Sequence, residues 1–282
     1  MNTNTQVRVL IHCRGAGADL FRTLVSLSCQ SIGPKHLHIV LASTAPAEHE
    51  TAEAHLLHSA LGFGGLQVLD ATGLTPAKAL NIAALEGDEP WLLLAPTGTR
   101  LSPRFISRCQ DAAKDAKIQA VYPSHTAGNP SNAPLTRVRP FNPEQLTRCN
   151  PVGPAVLLRR KAWELMGGLR PNVQLALWDF WLRMALEGGG IVRVPELLAH
   201  CRPLHRLTPW QDGHAKALLV VATPGAFEPD VCRWALAFLR GDPWAKPYEA
   251  GQIPGPRDVR AMFAGMEPSI APRHTAWSRC TA

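Results

Sequence analysis

The sequence predicts an α/β protein in which a mostly parallel sheet is flanked by helices and followed by a C-terminal helical appendage. In the first half of the 282 residues, short apolar runs typical of strands alternate with segments of helical periodicity. One of these runs, residues 91–95 (WLLLA), is continuously apolar, as expected for a central strand that is covered on both faces. Because the strands are separated by helices, we expect parallel pairing through right-handed crossovers.

The elements of the first half follow from local signals. Residues 7–12 (VRVLIH) form a short apolar run typical of a strand, and the next segment has leucines at helical spacing. Thr75-Pro76 and Ser102-Pro103 each place a hydroxyl N-cap before a proline at the first helical position. An N–H at this position would make no intrahelical hydrogen bond, so proline is tolerated there. Predicted strands occupy residues 7–12, 36–41, 66–69, 91–95 and 119–122, and predicted helices occupy residues 18–29 and 46–61 and begin at Pro76 and Pro103.

The pattern changes after residue 122. Residues 123–154 contain seven prolines, which disfavour regular structure and indicate a long loop that is functional or faces a partner. We assign residues 1–205 to the main domain and residues 206–282 to the helical appendage. In the second half, predicted strands occupy residues 155–158, 191–194 and 197–200, and predicted helices lie near residues 161–166, 178–187, 215–221 and 231–239.

Composition places the chain among well-buried globular proteins. Apolar residues make up 46% and charged residues 18% of the chain, which excludes a disordered or acidic solvating protein. No stretch approaches the roughly 18 to 20 apolar residues that a membrane-spanning helix needs. The polar N-terminus leads into the first strand without a secretory signal, and the seven cysteines form no CxxC pair. We therefore expect a cytoplasmic protein with free thiols and without a zinc site.

The positive charge is concentrated in one segment. The net charge is +7, and residues 137–172 hold seven Lys and Arg residues against two Glu. Such a patch suits phosphates, an anionic membrane surface or an acidic protein partner. No recognition helix or finger is visible, so we do not expect nucleic-acid binding. We expect a protein partner to bind through this basic segment and the proline-rich loop, with peripheral attachment at the inner membrane face as an alternative.

Between roughly residues 7 and 205 four stretches occur in order: SLSCQ, AKALN, LLRRKAWELMGG and WDFWLR. Together they resemble family 2 glycosyltransferases with a GT-A fold. SLSCQ resembles the family's SLxxQ segment, AKALN resembles its ARNxG helix, RR precedes a GG turn in LLRRKAWELMGG, and WDFWLR resembles the acceptor-side helix. A Rossmann dehydrogenase would instead have GxGxxG after the first strand, and the corresponding turn here is CRGAGA. The resemblance implies a nucleotide-sugar ligand.

The resemblance also implies three acidic positions, and this sequence lacks all of them. At the end of the second strand, where the family has an Asp for the nucleotide, residues 41–43 are LAS. No carboxylate lies between Trp91 and Asp111, where a D-x-D would hold the divalent cation. The position of the general base holds Leu177, which cannot accept a proton. With these departures the resemblance implies a pseudoenzyme that binds no metal or other cofactor.

Four residues are candidates for the site that the resemblance implies. Lys78 and Asn81, on the helix that starts at Pro76, and Arg100, after the fourth strand, are predicted to bind a diphosphate without a metal. Asp179 is the candidate alternative base. The alternatives are a solvated helix face and a loop charge for the first three residues, and a buried hydrogen-bond acceptor for Asp179.

Three classes of function stay open from the sequence. The first is a non-catalytic glycosyltransferase-like protein that scaffolds or regulates a partner in glycan or cell-envelope assembly. The second is an active, metal-independent transferase that uses a nucleotide-sugar donor. The third is a nucleotide or glycan binder that keeps the pocket for recognition alone.

Overall fold

The computed structural model describes residues 5–14, 17–44, 59–127, 141–202 and 207–265. The chain forms two compact units. Unit 1 comprises Met1–Pro140, Gly153–Leu169 and Gly189–Pro203, and unit 2 comprises Phe141–Val152, Arg170–Gly188 and Leu204–Ala282. The division between residues 205 and 206 that the sequence predicts stays a prediction.

Unit 1 is built on a mixed sheet. Its strand order is β3-β2-β1-β4-β7-β6-β8-β5. The pairs β1–β2, β1–β4, β2–β3 and β6–β8 are parallel, whereas β7 runs antiparallel to both of its neighbours and β5 runs antiparallel to β8. The strands are β1 (Val7–Cys13), β2 (Leu37–Ser43), β3 (Gly65–Asp70), β4 (Trp91–Leu94), β5 (Arg100–Leu101), β6 (Ile118–Ala127), β7 (Val156–Arg159) and β8 (Gly190–Cys201).

The predicted central strand is confirmed. β4 lies between β1 and β7, and its four residues are between 0% and 5% exposed. The buried apolar side chains of β1, β2, β4 and β7 belong to the core of unit 1. An unbroken apolar run is therefore explained by cover on both faces of the sheet.

Four helices of the described residues cover this sheet. α2 starts as predicted, because the Thr75 hydroxyl accepts a hydrogen bond from the Lys78 amide at 3.3 Å. The second predicted start is two residues early: Ser102 and Pro103 lie in a turn, which is closed by a hydrogen bond from the Phe105 amide to the Ser102 carbonyl at 2.9 Å. The helices are α1 (Ala18–Ser28), α2 (Pro76–Leu85), α3 (Phe105–Ala112) and α4 (Arg160–Leu165).

Two strands extend further than the sequence predicts. β6 continues through Pro123 to Ala127, and the predicted strands at residues 191–194 and 197–200 are one strand, β8. The register between β6 and β8 shifts after Pro123, where proline cannot donate a ladder hydrogen bond. Most of the predicted helix at residues 46–61, and most of the proline-rich loop before residue 141, lie outside the described residues.

Unit 2 contains the helices that the sequence predicts for the appendage. A capping box between Thr208 and Gln211 starts α6, and Gly241, with φ 78°, ends α7 in the left-handed conformation that favours glycine. Among the described residues no helix is long and apolar enough to cross a membrane. The helices are α5 (Ala176–Leu186), α6 (Pro209–Ala222), α7 (Pro229–Arg240) and α8 (Pro256–Phe263), with short 3-10 turns at Pro143–Thr147 and Pro224–Ala226.

Candidate ligand-binding cleft

Unit 1 contains a cleft of about 840 Å³ at the carboxyl ends of β1 and β4. Ligands of open α/β sheets bind in crevices at this edge. The walls come from the end of β1, the first turns of α1, the loop after β4, the short strand β5 and the end of β8. Among the described residues the polar and charged lining consists of His12, Cys13, Arg14, Asp19, Arg22, Thr97, Arg100, His200 and Arg202.

The cleft is strongly basic. Four arginines line it, and Asp19 is the one carboxylate among the described lining residues. Asp19 forms ion pairs with Arg22, at 3.0 Å, and with Arg202. Because this carboxylate neutralises a single arginine charge, the lining keeps an excess of positive charge that suits phosphate groups.

The surroundings of the two cleft histidines favour the neutral imidazole. Burial, with Arg14 nearby, lowers the pKa of His12, and burial, with Arg100 nearby, lowers the pKa of His200. His12 Nε2 lies 3.0 Å from the Thr44 hydroxyl. His200 Nδ1 lies 2.8 Å from the Thr126 hydroxyl, which leaves Nε2 as the second ring nitrogen for a ligand or a proton.

The loop after β4, where the family resemblance implies a D-x-D, is fixed by hydroxyl groups. Thr97 Oγ1 donates to the His12 carbonyl at 2.8 Å, and the Gly98 amide donates to Thr23 Oγ1 at 3.0 Å. Gly98 has φ 88°, and a Cβ at this position would meet the Arg202 side chain at 3.3 Å. The described residues contain no group of three His, Cys, Asp or Glu side chains that could hold a metal ion; the expected absence of a metal or other cofactor stays a prediction.

One of the three predicted phosphate ligands lies in the cleft. Arg100 is exposed and lines it. Lys78 is exposed on α2 and is not part of the lining. The Asn81 amide donates to the Leu169 carbonyl and accepts from the Leu169 amide, both at 2.8 Å. Asn81 therefore fastens α2 to the segment after α4, and the phosphate roles of these residues stay predictions.

Asp179 lies in unit 2, on α5, and is fully buried. Its carboxylate contacts Arg170 at 3.2 Å, Arg183 at 2.9 Å and the Thr223 hydroxyl at 3.0 Å. These are the partners that a buried charge needs for stability. A role as catalytic base stays a prediction for this residue.

The described arginines of the basic segment make contacts within the chain. Arg148 pairs with Asp258 at 3.1 Å, and Arg160 is buried and pairs with Glu89 at 3.1 Å. Arg159 donates to two backbone carbonyls and lies over the Trp91 ring, 4.7 Å from its centre. Because these guanidinium groups contact other residues of the chain, less of the segment's charge is available to bind a partner than the sequence implies. Arg137 and Arg139 lie outside the described residues, and the partner role of the segment stays a prediction.

Sequence reasoning missed most of the cleft. Arg14, Arg22 and Arg202 belong to no motif. The first and the last of them are 188 residues apart in the sequence, so no local pattern connects them. The signal that identifies two of them is their position just after the ends of β1 and β8, because the carboxyl ends of parallel strands meet at one edge of a sheet. Arg22 requires knowledge of which face of α1 borders the cleft.

Solved structures decide the fold. The mannosyltransferase PcManGT from Pyrobaculum calidifontis, solved with GDP-Man and Mn2+, is similar with a TM-score of 0.64 and 15% identity over 96% of this chain and 77% of that one. The chain has a GT-A glycosyltransferase fold. S. aureus TarS 1-349 is similar with a TM-score of 0.60 and 10% identity over 83% of this chain and 70% of that one. The complex of TarS 1-349 with UDP-GlcNAc is similar with a TM-score of 0.62 and 10% identity over 83% of this chain and 71% of that one.

The comparisons with known proteins establish the fold alone. No protein-family model matches the sequence. No curated protein matches it significantly. At identities of 10–15% the structural similarity establishes the GT-A architecture, and function has to be argued from the cleft.

Proposed function

We propose that this GT-A protein binds a nucleotide-sugar or a related nucleoside diphosphate without a divalent cation. We further propose that it acts as a pseudoenzyme, as a scaffold or regulatory partner in glycan or cell-envelope assembly. The observation that carries the proposal is the cleft with four arginines and one ion-paired carboxylate at the carboxyl ends of β1 and β4.

Charge supports binding without a metal. A nucleotide-sugar carries about two negative charges on its diphosphate, and guanidinium groups recognise phosphate oxygens through paired N–H donors. TarS and PcManGT were solved with UDP-GlcNAc and with GDP-Man and Mn2+, respectively. In the present cleft, Arg14, Arg100 and Arg202 supply the positive charge that a cation would otherwise supply.

The same cleft supports the pseudoenzyme part of the proposal. Inverting sugar transfer needs a base that takes the proton of the acceptor hydroxyl, and its loss typically lowers the rate by about 10²- to 10⁴-fold. Asp19 lines the cleft, but two arginines hold its carboxylate. Arg22 contacts one of its oxygens and Arg202 contacts the other, so the carboxylate is already occupied by guanidinium partners.

A metal-independent transferase is the second candidate. The observation that favours it is His200, a neutral imidazole in the cleft whose Nδ1 is positioned by the Thr126 hydroxyl. A neutral imidazole accepts a proton, so His200 offers a base of a different type from the missing carboxylate.

Calorimetry with UDP-, GDP- and dTDP-sugars, in the presence of Mn2+ and then of EDTA, tests the proposal. We expect binding that EDTA does not change and no release of nucleoside diphosphate over hours with candidate acceptors. Arg100→Gln should weaken binding by about tenfold or more, since a hydrogen bond to a charged group contributes about 1.5–3 kcal/mol. Arg104→Gln, an exposed arginine of unit 1 outside the cleft, is the matched control.

The outcomes separate the alternatives. Turnover that His200→Gln abolishes supports the metal-independent transferase. Binding that requires Mn2+ contradicts the arginine model. No binding of any nucleotide-sugar contradicts the ligand proposal and leaves the scaffold role, the partner and the expected cytoplasmic location to be tested by affinity purification and cell fractionation.

A further inference from the structure

Two helices of unit 2 expose one basic and apolar surface. On α7 the exposed positions follow each other at intervals of three and four residues, and on α8 at intervals of three. This spacing places each set along one side of its helix. We call this surface the basic face; it consists of Arg233, Leu236 and Arg240 on α7 and Arg257, Arg260 and Phe263 on α8.

Side-chain contacts join the two halves of the basic face. Arg260 pairs with Asp230 of α7 at 2.6 Å. The Arg233 guanidinium lies over the Phe263 ring, 4.7 Å from its centre. The Trp244 ring packs edge-on against Phe263 at 5.2 Å between centres. The exposed sides of α7 and α8 are therefore continuous.

The apolar residues of the basic face are not part of the core of unit 2. α7 buries Val231, Trp234 and Phe238, and α8 buries Val259 and Met262. Leu236 lies on the side of α7 opposite its buried residues, Phe263 lies at the edge of the buried side of α8, and the two are 49% and 57% exposed. Each helix thus has a buried apolar side and, separately, an exposed apolar residue among arginines.

Charge favours an anionic partner. The basic face holds four arginines, two of which form ion pairs: Arg260 with Asp230 and Arg240 with Asp242 at 2.9 Å. Arg233 and Arg257 have no carboxylate partner among the described residues. The face therefore keeps an excess of about two positive charges.

We propose that the basic face docks on the surface of a bilayer that contains anionic lipids. The arginines contact the lipid phosphates, and Leu236 and Phe263 enter the boundary between headgroups and acyl chains, where amphipathic surfaces with basic and aromatic residues bind. A nucleic acid or an acidic protein would use the arginines as well. The pair of exposed apolar side chains favours a lipid surface over a nucleic acid, whose phosphate backbone offers them no apolar contact. This inference rests on unit 2 alone and does not depend on the ligand of the cleft.

Vesicle sedimentation of the full chain tests this proposal. The probes are vesicles of phosphatidylcholine alone and vesicles with about 30% phosphatidylglycerol, at about 0.1 M salt. We expect binding to the anionic vesicles that weakens with salt and is absent with phosphatidylcholine alone. Arg240→Gln with Arg257→Gln should weaken binding by about 25-fold, at about fivefold for each arginine near an anionic surface.

Two further variants make the test specific. Phe263→Ser should weaken binding without changing the slope of its salt dependence, because it removes apolar contact and no charge. Arg104→Gln with Lys114→Gln, two exposed basic residues of unit 1, removes the same charge elsewhere and should leave binding within about twofold of the wild type.

Three results would overturn the proposal: no binding to the anionic vesicles, equal binding to both kinds of vesicle, or equal losses in the control and in the arginine variant. If the vesicles fail and the arginine variant loses a cross-linked acidic protein or a nucleic acid instead, that other partner occupies the basic face. Circular dichroism of each variant shows whether α7 and α8 are still folded.

Discussion

Asp179→Asn distinguishes a structural carboxylate from a catalytic one. Asp179 is fully buried on α5, and its oxygens lie 3.2 Å from Arg170, 2.9 Å from Arg183 and 3.0 Å from the Thr223 hydroxyl. Asparagine has nearly the same shape, but it is neutral and turns an NH2 group toward partners that are donors. The substitution therefore breaks both ion pairs without opening a cavity.

The size of the effect follows from how well each pair is shielded from water. Removing one partner of a buried ion pair typically costs about 3–5 kcal/mol. The Arg183 side chain is 12% exposed and the Arg170 side chain is 39% exposed, so solvent screens the second pair and we expect the lower end, about 3 kcal/mol. At about 2–4 °C for each kcal/mol in chains of this size, the unfolding midpoint should fall by about 6–12 °C.

Differential scanning fluorimetry and urea unfolding measure this change, and Asp242→Asn is the matched control. Asp242 pairs with Arg240 at 2.9 Å on the surface, where ion pairs contribute little, so its midpoint should stay at the wild-type value. A midpoint for Asp179→Asn within about 1 °C of the wild type would refute the structural argument. Loss of turnover at an unchanged midpoint would restore Asp179 as a catalytic base.

Three further predictions concern unit 1. Millimolar Mn2+ or EDTA should leave the unfolding midpoint unchanged, because a ligand stabilises only the folded state that it binds; an upward shift with Mn2+ would contradict the metal-free cleft. Gly153→Ala should lower stability by about 1–3 kcal/mol in urea unfolding, since its Cβ would lie 2.9 Å from His125 Nδ1, whereas Gly225→Ala, with no atom within 4 Å of the new Cβ, should not. Burial, with Arg193 nearby, lowers the pKa of His125 to about 4; the neutral form therefore stabilises the fold above about pH 6.5, and stability should fall as the pH drops toward 4. Urea midpoints across this range should show a shallower loss in His125→Gln, and an unchanged slope would contradict the assignment.

The sequence predicts the parts of the fold that depend on local signals. Residues 91–95 are apolar without interruption because β4 is covered on both faces. The Thr75 cap forms because a hydroxyl and a following proline suit the first turn of a helix. β5 has two residues and no periodicity, and its pairing with His200 and Ala199 of β8 is purely tertiary, so no local pattern predicts it.

The cleft is less predictable than the fold because its charges come from distant positions. Arg100 could be predicted from the family resemblance, because it closely follows the loop after the fourth strand. Arg202 could not, since its contact with Asp19 joins the end of β8 to the first turn of α1, 183 residues earlier in the chain. The sequence also does not show which arginines already have partners within the chain. Arg159 donates to a backbone carbonyl, and its neighbour Arg160 donates to the carbonyl and the carboxylate of Glu89.

The net charge of the cleft lining disfavours a divalent cation through electrostatic repulsion, in addition to the lack of carboxylate ligands. Four arginines and Asp19 leave an excess of three positive charges among the described lining residues. The diphosphate of a nucleotide-sugar, with about two negative charges, reduces that excess to about one, whereas a divalent ion bound with it would bring the excess back to about three. At separations of about 4 Å, each like-charge pair costs about 1 kcal/mol in water and several times more in a shielded site. Under the proposed function, arginines and a metal are therefore alternative ways to neutralise the same diphosphate, and the charge of this lining favours the first.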